Sequence, residues 1–164
     1  MNEIFHRISV RKYQDRPVEP EKLEQLLRAA MAAPSACNQQ PWEFYVVRRK
    51  EKLAELATAT PYTGFTAQAP AAIVAAYREG CFAPDYAHID MSAAMENMLL
   101  EADSLGLGGT WMGIAPIEDR MKTVESMLDI PEGLRAFAIY SVGYPAESRP
   151  QQDRWDPARV HWVD

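Results

Sequence analysis

Apolar residues recur at helical spacing over the stretch that begins at Pro20. They follow the i, i+3, i+4, i+7, i+8 pattern of one helix face, formed by Leu23, Leu26, Leu27, Ala30 and Met31. Pro20 suits the first turn of this helix, and Pro34 ends it. Similar but weaker patterns predict further helices at residues 3–8, 50–59, 86–105 and 118–128. In the longest of these, we expect one face to pack in the core, formed by Met91, Met95, Met98 and Ala102.

Three short runs favour strands because they are rich in aromatic, β-branched or small apolar residues. They lie at residues 43–48, 71–77 and 135–142. The small apolar residues of the run at 71–77 are also compatible with a helix. Helices and strands do not alternate strictly, which favours an α+β fold. The 164 residues are enough for one domain, and the proline-rich, charged tail after Gly143 is too polar to form a core element.

The glycine-rich segment at residues 105–113 follows the longest predicted helix. We interpret Gly106 as the residue that caps this helix. A dinucleotide-binding G-x-G-x-x-G motif is disfavoured, because these glycines neither follow a strand nor open a helix. The other glycines would let backbone N–H groups approach a ligand, and Trp111 could stack on a ring.

Composition excludes several classes of function. The net charge of −6 disfavours a nucleic-acid partner, and no apolar run is long enough to span a membrane. Cys37 and Cys81 are the only cysteines, which suggests a reduced, cytoplasmic protein. The three histidines are scattered, so we expect neither a metal site nor a catalytic triad.

Two further segments carry candidate binding chemistry. Arg7, Ser9 and Arg11 would point to one side of an extended chain and could clamp a phosphate; the alternative is a solvated charged face. The loop at residues 34–42 contains three side-chain amides beside Trp42. It could bind the edge of a planar heterocycle, or it could be an ordinary loop anchored by a buried tryptophan.

Taken together and in order, these segments resemble the nitroreductase family over nearly the whole chain. The opening R-x-S-x-R-x-Y lies at residues 7–13, and A-P-S-x-x-N-x-Q-P-W-x-F lies at residues 33–44. A helix ending in G-L-G and a tryptophan segment follow at residues 106–111, then V-G-Y-P at residues 142–145. Arg154 precedes a closing D-P-x-R-V-H.

The resemblance implies a central antiparallel sheet surrounded by helices, in an intertwined homodimer with FMN at the interface. The tail at residues 143–164 would pack on the partner subunit. By carry-over, the FMN phosphate and ribityl chain would be held by Arg7, Ile8, Ser9, Arg11 and Arg154. One flavin face would be covered from the partner subunit by Pro34, Ser35, Ala36 and Asn38. The segment Gly109, Thr110 and Trp111 would approach the ring.

The implied activity is that of an FMN-dependent NAD(P)H oxidoreductase. The mechanism would be a ping-pong hydride transfer in which both substrates use the same flavin face. NADH or NADPH would bind first, and a nitroaromatic, a quinone or a similar flat electrophile would then take its place. Because the flavin carries the electron chemistry, no catalytic acid–base pair is required. Two alternatives stay open: an FMN-binding redox sensor without activity, and a flavin enzyme of the same fold that removes halogen or fragments flavin. The absence of a lid insertion after the second predicted strand disfavours the flavin enzyme that removes halogen or fragments flavin.

Overall fold

The computed structural model describes residues 3–163. Its helices are α1 (Glu3–His6), α2 (Pro20–Met31), α3 (Lys50–Leu56), α4 (Ala87–Ser104) and α5 (Glu118–Met127). Its strands are β1 (Trp42–Val47), β2 (Ala71–Arg78), β3 (Gly108–Gly113) and β4 (Leu134–Gly143). The strands form one antiparallel sheet in the order β1-β2-β4-β3. The predicted α+β class is confirmed.

Both faces of the sheet are covered, so the central strands are apolar on both sides. In β2, Ile73 and Ala75 face a core that contains α2 and α4, whereas Ala72 and Val74 face a core that contains α3 and α5. This alternation follows from the two-residue period of a strand. It explains why residues 71–77 form a continuous apolar run.

Helix α4 contributes the predicted methionine face to the core. Met91, Met95 and Met98 are fully buried, as is Ala102. In α2, the predicted apolar face is only partly correct, because Met31 at the end of the helix is 51% exposed. Within residues 3–163, none of the helices combines the length and apolar composition that a membrane span requires.

Strand β3 is an element that the sequence analysis missed. Gly106 ends the preceding helix with a φ of +71°, as predicted, but the chain then runs as a strand along β4. At Gly109 a Cβ atom would lie 2.1 Å from the Ser141 carbonyl oxygen and 2.6 Å from the Tyr140 ring. The glycine is therefore required by close packing of β3 on β4, and its low strand propensity concealed the strand.

The first helix is shorter than predicted, because it ends at His6 and not at residue 8. Residues 7–18, which we call the N-terminal arm, form no helix, and their first part lies along the outer edge of β3. Ser9 forms a parallel bridge with Gly109, and the Val10 amide donates to the Gly109 carbonyl at 3.0 Å. The Thr110 hydroxyl donates to the Val10 carbonyl at 2.7 Å.

The rest of the arm is attached to β4. The Tyr13 hydroxyl donates to the carbonyls of Val10 and Ser141, at 3.0 and 3.2 Å, and burial raises the pKa of this phenol. Just beyond the arm, the Tyr144 hydroxyl donates to Glu19 at 2.7 Å. This hydrogen bond is the main reason that the pKa of Glu19 falls to about 2. The arm is thus fixed along its length.

The first part of the tail packs on the arm of its own chain. Arg149 donates to the Ser9 carbonyl, and the Gln151 amide donates to the Arg7 carbonyl, both at 2.8 Å. Further along, Trp155 and Trp162 are 72% and 86% exposed. The end of the tail thus exposes two large aromatic side chains on the surface of the described chain.

We predict that Gly109→Ala destabilises the protein by about 1–3 kcal/mol or more, because the added methyl group must displace the Ser141 carbonyl or the Tyr140 ring. Urea denaturation measures the change. Gly80→Ala is the control, because a Cβ there meets no atom within 4 Å. Equal stability of the two variants would show that β3 does not pack as described.

Candidate functional site

The N-terminal arm contacts β3 and borders two cavities. Val10 is buried against β3, with 2% of its surface exposed. Two cavities lie along the arm: Arg7 and Ser9 line one of them, and Arg11 lines the other.

The first cavity, which we call the polar cavity, has a volume of about 260 Å³. It is lined by Arg7, Ile8, Ser9, Arg149, Pro150, Gln151, Gln152 and Arg154. Three of these residues are arginines and none is acidic. Within residues 3–163, Arg149 and Arg154 form no ion pair. The polar cavity therefore suits a small anion.

Arg7 has an unmet hydrogen-bonding requirement. Its Nε is buried and donates no hydrogen bond within the described chain. The nearest carboxylate, that of Glu96, lies 3.7 Å away and is half exposed, so it forms only a long ion pair. A buried donor without an acceptor costs about 1–3 kcal/mol. An anion in the polar cavity could supply the missing acceptor.

The second cavity, which we call the aromatic cavity, has a volume of about 460 Å³. It is lined by Arg11, Thr60, Tyr62, Phe65, Thr110, Trp111, Met112, Gly113, Ala115, Ile117 and Arg120. Its size and aromatic walls are typical of a site for a planar organic molecule.

Strand β3 offers backbone donors to the aromatic cavity. Its inner edge pairs with β4, and Gly109 uses its outward carbonyl to bind the arm. Because amide groups alternate between the two edges of a strand, Trp111 and Gly113 also direct their N–H groups outward. The hydroxyl of Thr110 is already committed to the arm, so the side chain of this predicted site residue fixes the arm in place.

A third cavity, of about 480 Å³, lies on the other side of Arg7. It is lined in part by Leu99, Leu107 and the buried Tyr140. Its polar groups include Asp103, whose carboxylate is 2.8 Å from His6 Nδ1. Because acidic residues line this cavity, it suits a small anion less well than the polar cavity does.

The predicted loop at residues 34–38 is anchored at the start of α4. The buried carboxylate of Asp90 accepts hydrogen bonds from the Ala36 amide at 2.9 Å and from the Gln39 side chain at 2.6 Å. The backbone at Cys37 and Asn38 is left-handed, with φ of +51° and +52°. Such conformations are costly for residues other than glycine, so the loop is held in a specific shape.

This loop does not meet the arm within one protomer. None of Pro34, Ser35, Ala36 and Asn38 lines either cavity along the arm, in the part of the chain described. Asp90, which holds the loop, and Glu96, which lies beside Arg7, are six residues apart on α4, or about 9 Å along its axis. The predicted site residues therefore form two groups.

The loop borders an exposed apolar surface. Gln39 exchanges hydrogen bonds with the Ala83 backbone, at 3.0 and 2.7 Å. Nearby, Phe82, Tyr86 and Ile89 are 83%, 54% and 63% exposed. Three large apolar side chains beside the loop are therefore exposed in the described chain.

Sequence reasoning missed several residues around these cavities. Arg149 could have been noticed, because it stands in the same polar tail as Arg154. Arg120, Tyr62 and Asp90 carry no local signal, since each reaches its cavity or loop only through the tertiary fold.

The chain is similar to known proteins in both sequence and fold. The profile of the nitroreductase family matches residues 4–61 and 56–144. A relative in Archaeoglobus fulgidus, whose name proposes an NADH dehydrogenase/NAD(P)H nitroreductase, is 42% identical in an alignment of 163 positions that covers 96% of this chain and 94% of the relative. An iodotyrosine deiodinase of Haliscomenobacter hydrossis is 25% identical in an alignment of 190 positions, gaps included, that covers 94% of this chain and 84% of that protein.

Among solved structures, an FMN-dependent nitroreductase from Clostridium difficile R20291 superposes with a TM-score of 0.92 at 32% identity. The match covers 99% of this chain and 98% of that chain. The superposition over nearly the whole chain and the sequence match over most of it point to one conclusion. The chain belongs to the nitroreductase family.

Proposed function

We propose that this protein is an FMN-dependent NAD(P)H oxidoreductase that works as a homodimer and reduces nitroaromatics, quinones or similar flat electrophiles. The observation that carries the proposal is the polar cavity, where three arginines converge without a neutralising carboxylate on the lining. FMN binding is also consistent with the name of the structural neighbour from Clostridium difficile.

The donor set of the polar cavity fits the phosphate of FMN. A phosphate monoester carries nearly two negative charges and offers three oxygens to donors. Arg7, with its unmatched buried Nε, and Arg154 would hold these oxygens, assisted by Ser9. Arg149, which also binds the Ser9 carbonyl, would join them.

The aromatic cavity fits a planar ring system. Arg11 and the outward N–H groups of Trp111 and Gly113 would hydrogen-bond the polar edge of the ring, and Trp111 would limit the space beside it. When bound there, FMN would supply the hydride chemistry that protein side chains do not provide. The residues of the chain would bind, orient and shield it.

The loop at residues 34–38 would complete the site from the partner subunit. It borders the exposed patch of Phe82, Tyr86 and Ile89. If a second copy of the chain covers that patch, the loop would lie at the interface between the two subunits. In a two-fold dimer each loop would then reach the site of the other protomer. The exposed Trp155 and Trp162 would be buried in the same assembly.

The overall reaction consumes one NAD(P)H and one proton. It converts a quinone to a hydroquinone, or a nitro group to a nitroso group and water, and it leaves NAD(P)⁺. We propose that NAD(P)H and the acceptor occupy the aromatic cavity in turn, because FMN bound in a cavity of about 460 Å³ would leave room beside it for only one of the two rings at a time.

Reductive dehalogenation is the second candidate, favoured by the similarity to the deiodinase of Haliscomenobacter hydrossis. A lid after β2 would favour that chemistry, but only eight residues join β2 to α4. Release of halide from a halogenated phenol would support this candidate, whereas turnover of quinones without halide release would support the first.

We expect Arg7→Ala to weaken FMN binding by about 2–5 kcal/mol, at least about thirtyfold in Kd, because it removes a partly buried charge from the phosphate site. Arg28→Ala is the matched control. Arg28 is exposed and, among the described residues, pairs only with Glu24 on its own helix, so its loss costs about 0–1 kcal/mol in stability and leaves the FMN affinity unchanged. Titration of the two flavin-free variants with FMN measures their Kd values, and equal Kd values would show that Arg7 does not bind FMN.

A mixed dimer tests the composite site. We expect Arg7→Ala and Ser35→Glu each to impair both sites of a homodimer, the second by placing a carboxylate against the flavin. In a mixed dimer one site would carry both changes and the other neither. Random pairing makes half of the dimers mixed, so about a quarter of all sites should recover.

The two variants carry different affinity tags, so mixed dimers can be isolated after co-refolding and titrated with FMN. A mixture of two differently tagged Arg7→Ala chains is the control and should recover no site. Mixed dimers of the two variants that bind no more FMN than this control would contradict a loop contributed by the partner.

A further inference from the structure

The mouth of the aromatic cavity contains a cation that FMN binding does not use. Arg120, in the first turns of α5, has its guanidinium carbon 5.6 Å from the centre of the Tyr62 ring. The Tyr62 side chain is 67% exposed, so the pair lies at the entrance. Arg11 lies on the arm and forms a similar contact with Phe65 at 5.8 Å.

The charge of this cavity is unusual for the molecule. Its lining contains two arginines and no acidic residue, although the whole chain has a net charge of −6. Within residues 3–163, Arg120 forms no ion pair. The nearby carboxylate of Glu118 is engaged by Arg135 at 2.8 Å.

An arginine held on an aromatic ring is well suited to recognise a carboxylate. When the face of a guanidinium group stacks on a ring, the N–H donors at its edge stay available for hydrogen bonds. Two of these donors can bind the two oxygens of a carboxylate at the same time. Tyr62, Phe65 and Trp111 offer apolar surface for the ring that would carry the anionic group.

We infer that Arg120 binds the anionic substituent of a planar aromatic electron acceptor, so that the acceptors of this protein are aromatic acids in preference to neutral aromatics. This inference rests on the proposed function for the reduction itself and names its substrate class. Arg120 is a specificity residue here: it would bind the substituent, and Tyr62 would hold Arg120 in place.

The other anion that could reach Arg120 is the 2′-phosphate of NADPH. That phosphate lies on the adenosine end of the dinucleotide, remote from the nicotinamide ring. Arg120 lines the same cavity as Trp111 and Arg11, where the reacting ring would lie. The position of Arg120 therefore favours a compact anion attached directly to that ring.

The test compares two acceptors of the same shape, 4-nitrobenzoate and 4-nitrobenzamide. In Arg120→Ala, the ratio of kcat/KM for the acid to that for the amide should fall about tenfold or more, the loss expected for one charge-assisted hydrogen bond. Comparison of ratios cancels the different intrinsic reactivity of the two compounds. Arg120→Lys, which keeps the charge, should recover part of the ratio.

Lys122→Ala is the matched control. Lys122 lies on the same helix, is largely exposed and lies 3.7 Å from Glu118. Its loss removes the same unit of charge outside the cavity, so the ratio should stay at the wild-type value. A parallel measurement of kcat/KM for NADPH and NADH separates acceptor recognition from dinucleotide recognition.

A binding measurement keeps the test independent of turnover. Benzoate and benzamide cannot be reduced here, and calorimetry with the FMN-loaded protein gives their Kd values. Arg120→Ala should weaken benzoate relative to benzamide by about tenfold, and added salt should weaken benzoate binding to the wild type.

An unchanged acid-to-amide ratio in Arg120→Ala would overturn the inference. So would a change confined to the NADPH-to-NADH ratio, which would assign the arginine to the dinucleotide. If the wild type reduces neither nitro compound but benzoate binding still depends on Arg120, the proposed function fails and the anion site stands.

Discussion

The close packing of β3 on β4 at Gly109 determines where the arm, and with it the candidate site, can lie. Because Gly109 has no side chain, its backbone lies directly against the Ser141 carbonyl and the Tyr140 ring. The outer edge of β3 is then free to bind the arm through Ser9 and Val10. A side chain at this position would push β3 away from β4 and displace the arm that is hydrogen-bonded to β3.

The attachment of the arm to β3 also determines where the arginines of the candidate site lie. Arg7 and Arg11 are held at opposite ends of one extended segment, and the tail returns over the arm to bring Arg149 and Arg154 beside Arg7. An acidic chain thus places arginines beside two cavities whose linings contain no acidic residue among the described residues. Such focused positive charge raises the local concentration of anionic ligands, which an evenly mixed surface would not do.

The sequence predicted those helices and strands that have a regular pattern of apolar residues. The helical spacing of leucines placed α2, the methionine period placed the buried face of α4, and the apolar run placed β2. Strand β3 escaped because glycines that pack against a neighbouring strand look the same in sequence as glycines in a loop. Arg7, Ser9 and Arg11 could be grouped from their spacing alone. Arg149, Arg120 and Asp90 could not, because only the folded chain brings each to its cavity or loop.

The proposed function requires that the two cavities along the arm hold FMN and that NAD(P)H can reduce it. The visible spectrum of the purified protein in the absence of oxygen, before and after addition of NADPH, measures this directly. We expect a yellow protein whose flavin absorption disappears with NADPH, and whose cofactor, released by heat, migrates with FMN and not with FAD. A colourless protein that also fails to take up added FMN would contradict the proposed function, and so would bound FMN that neither NADPH nor NADH can bleach.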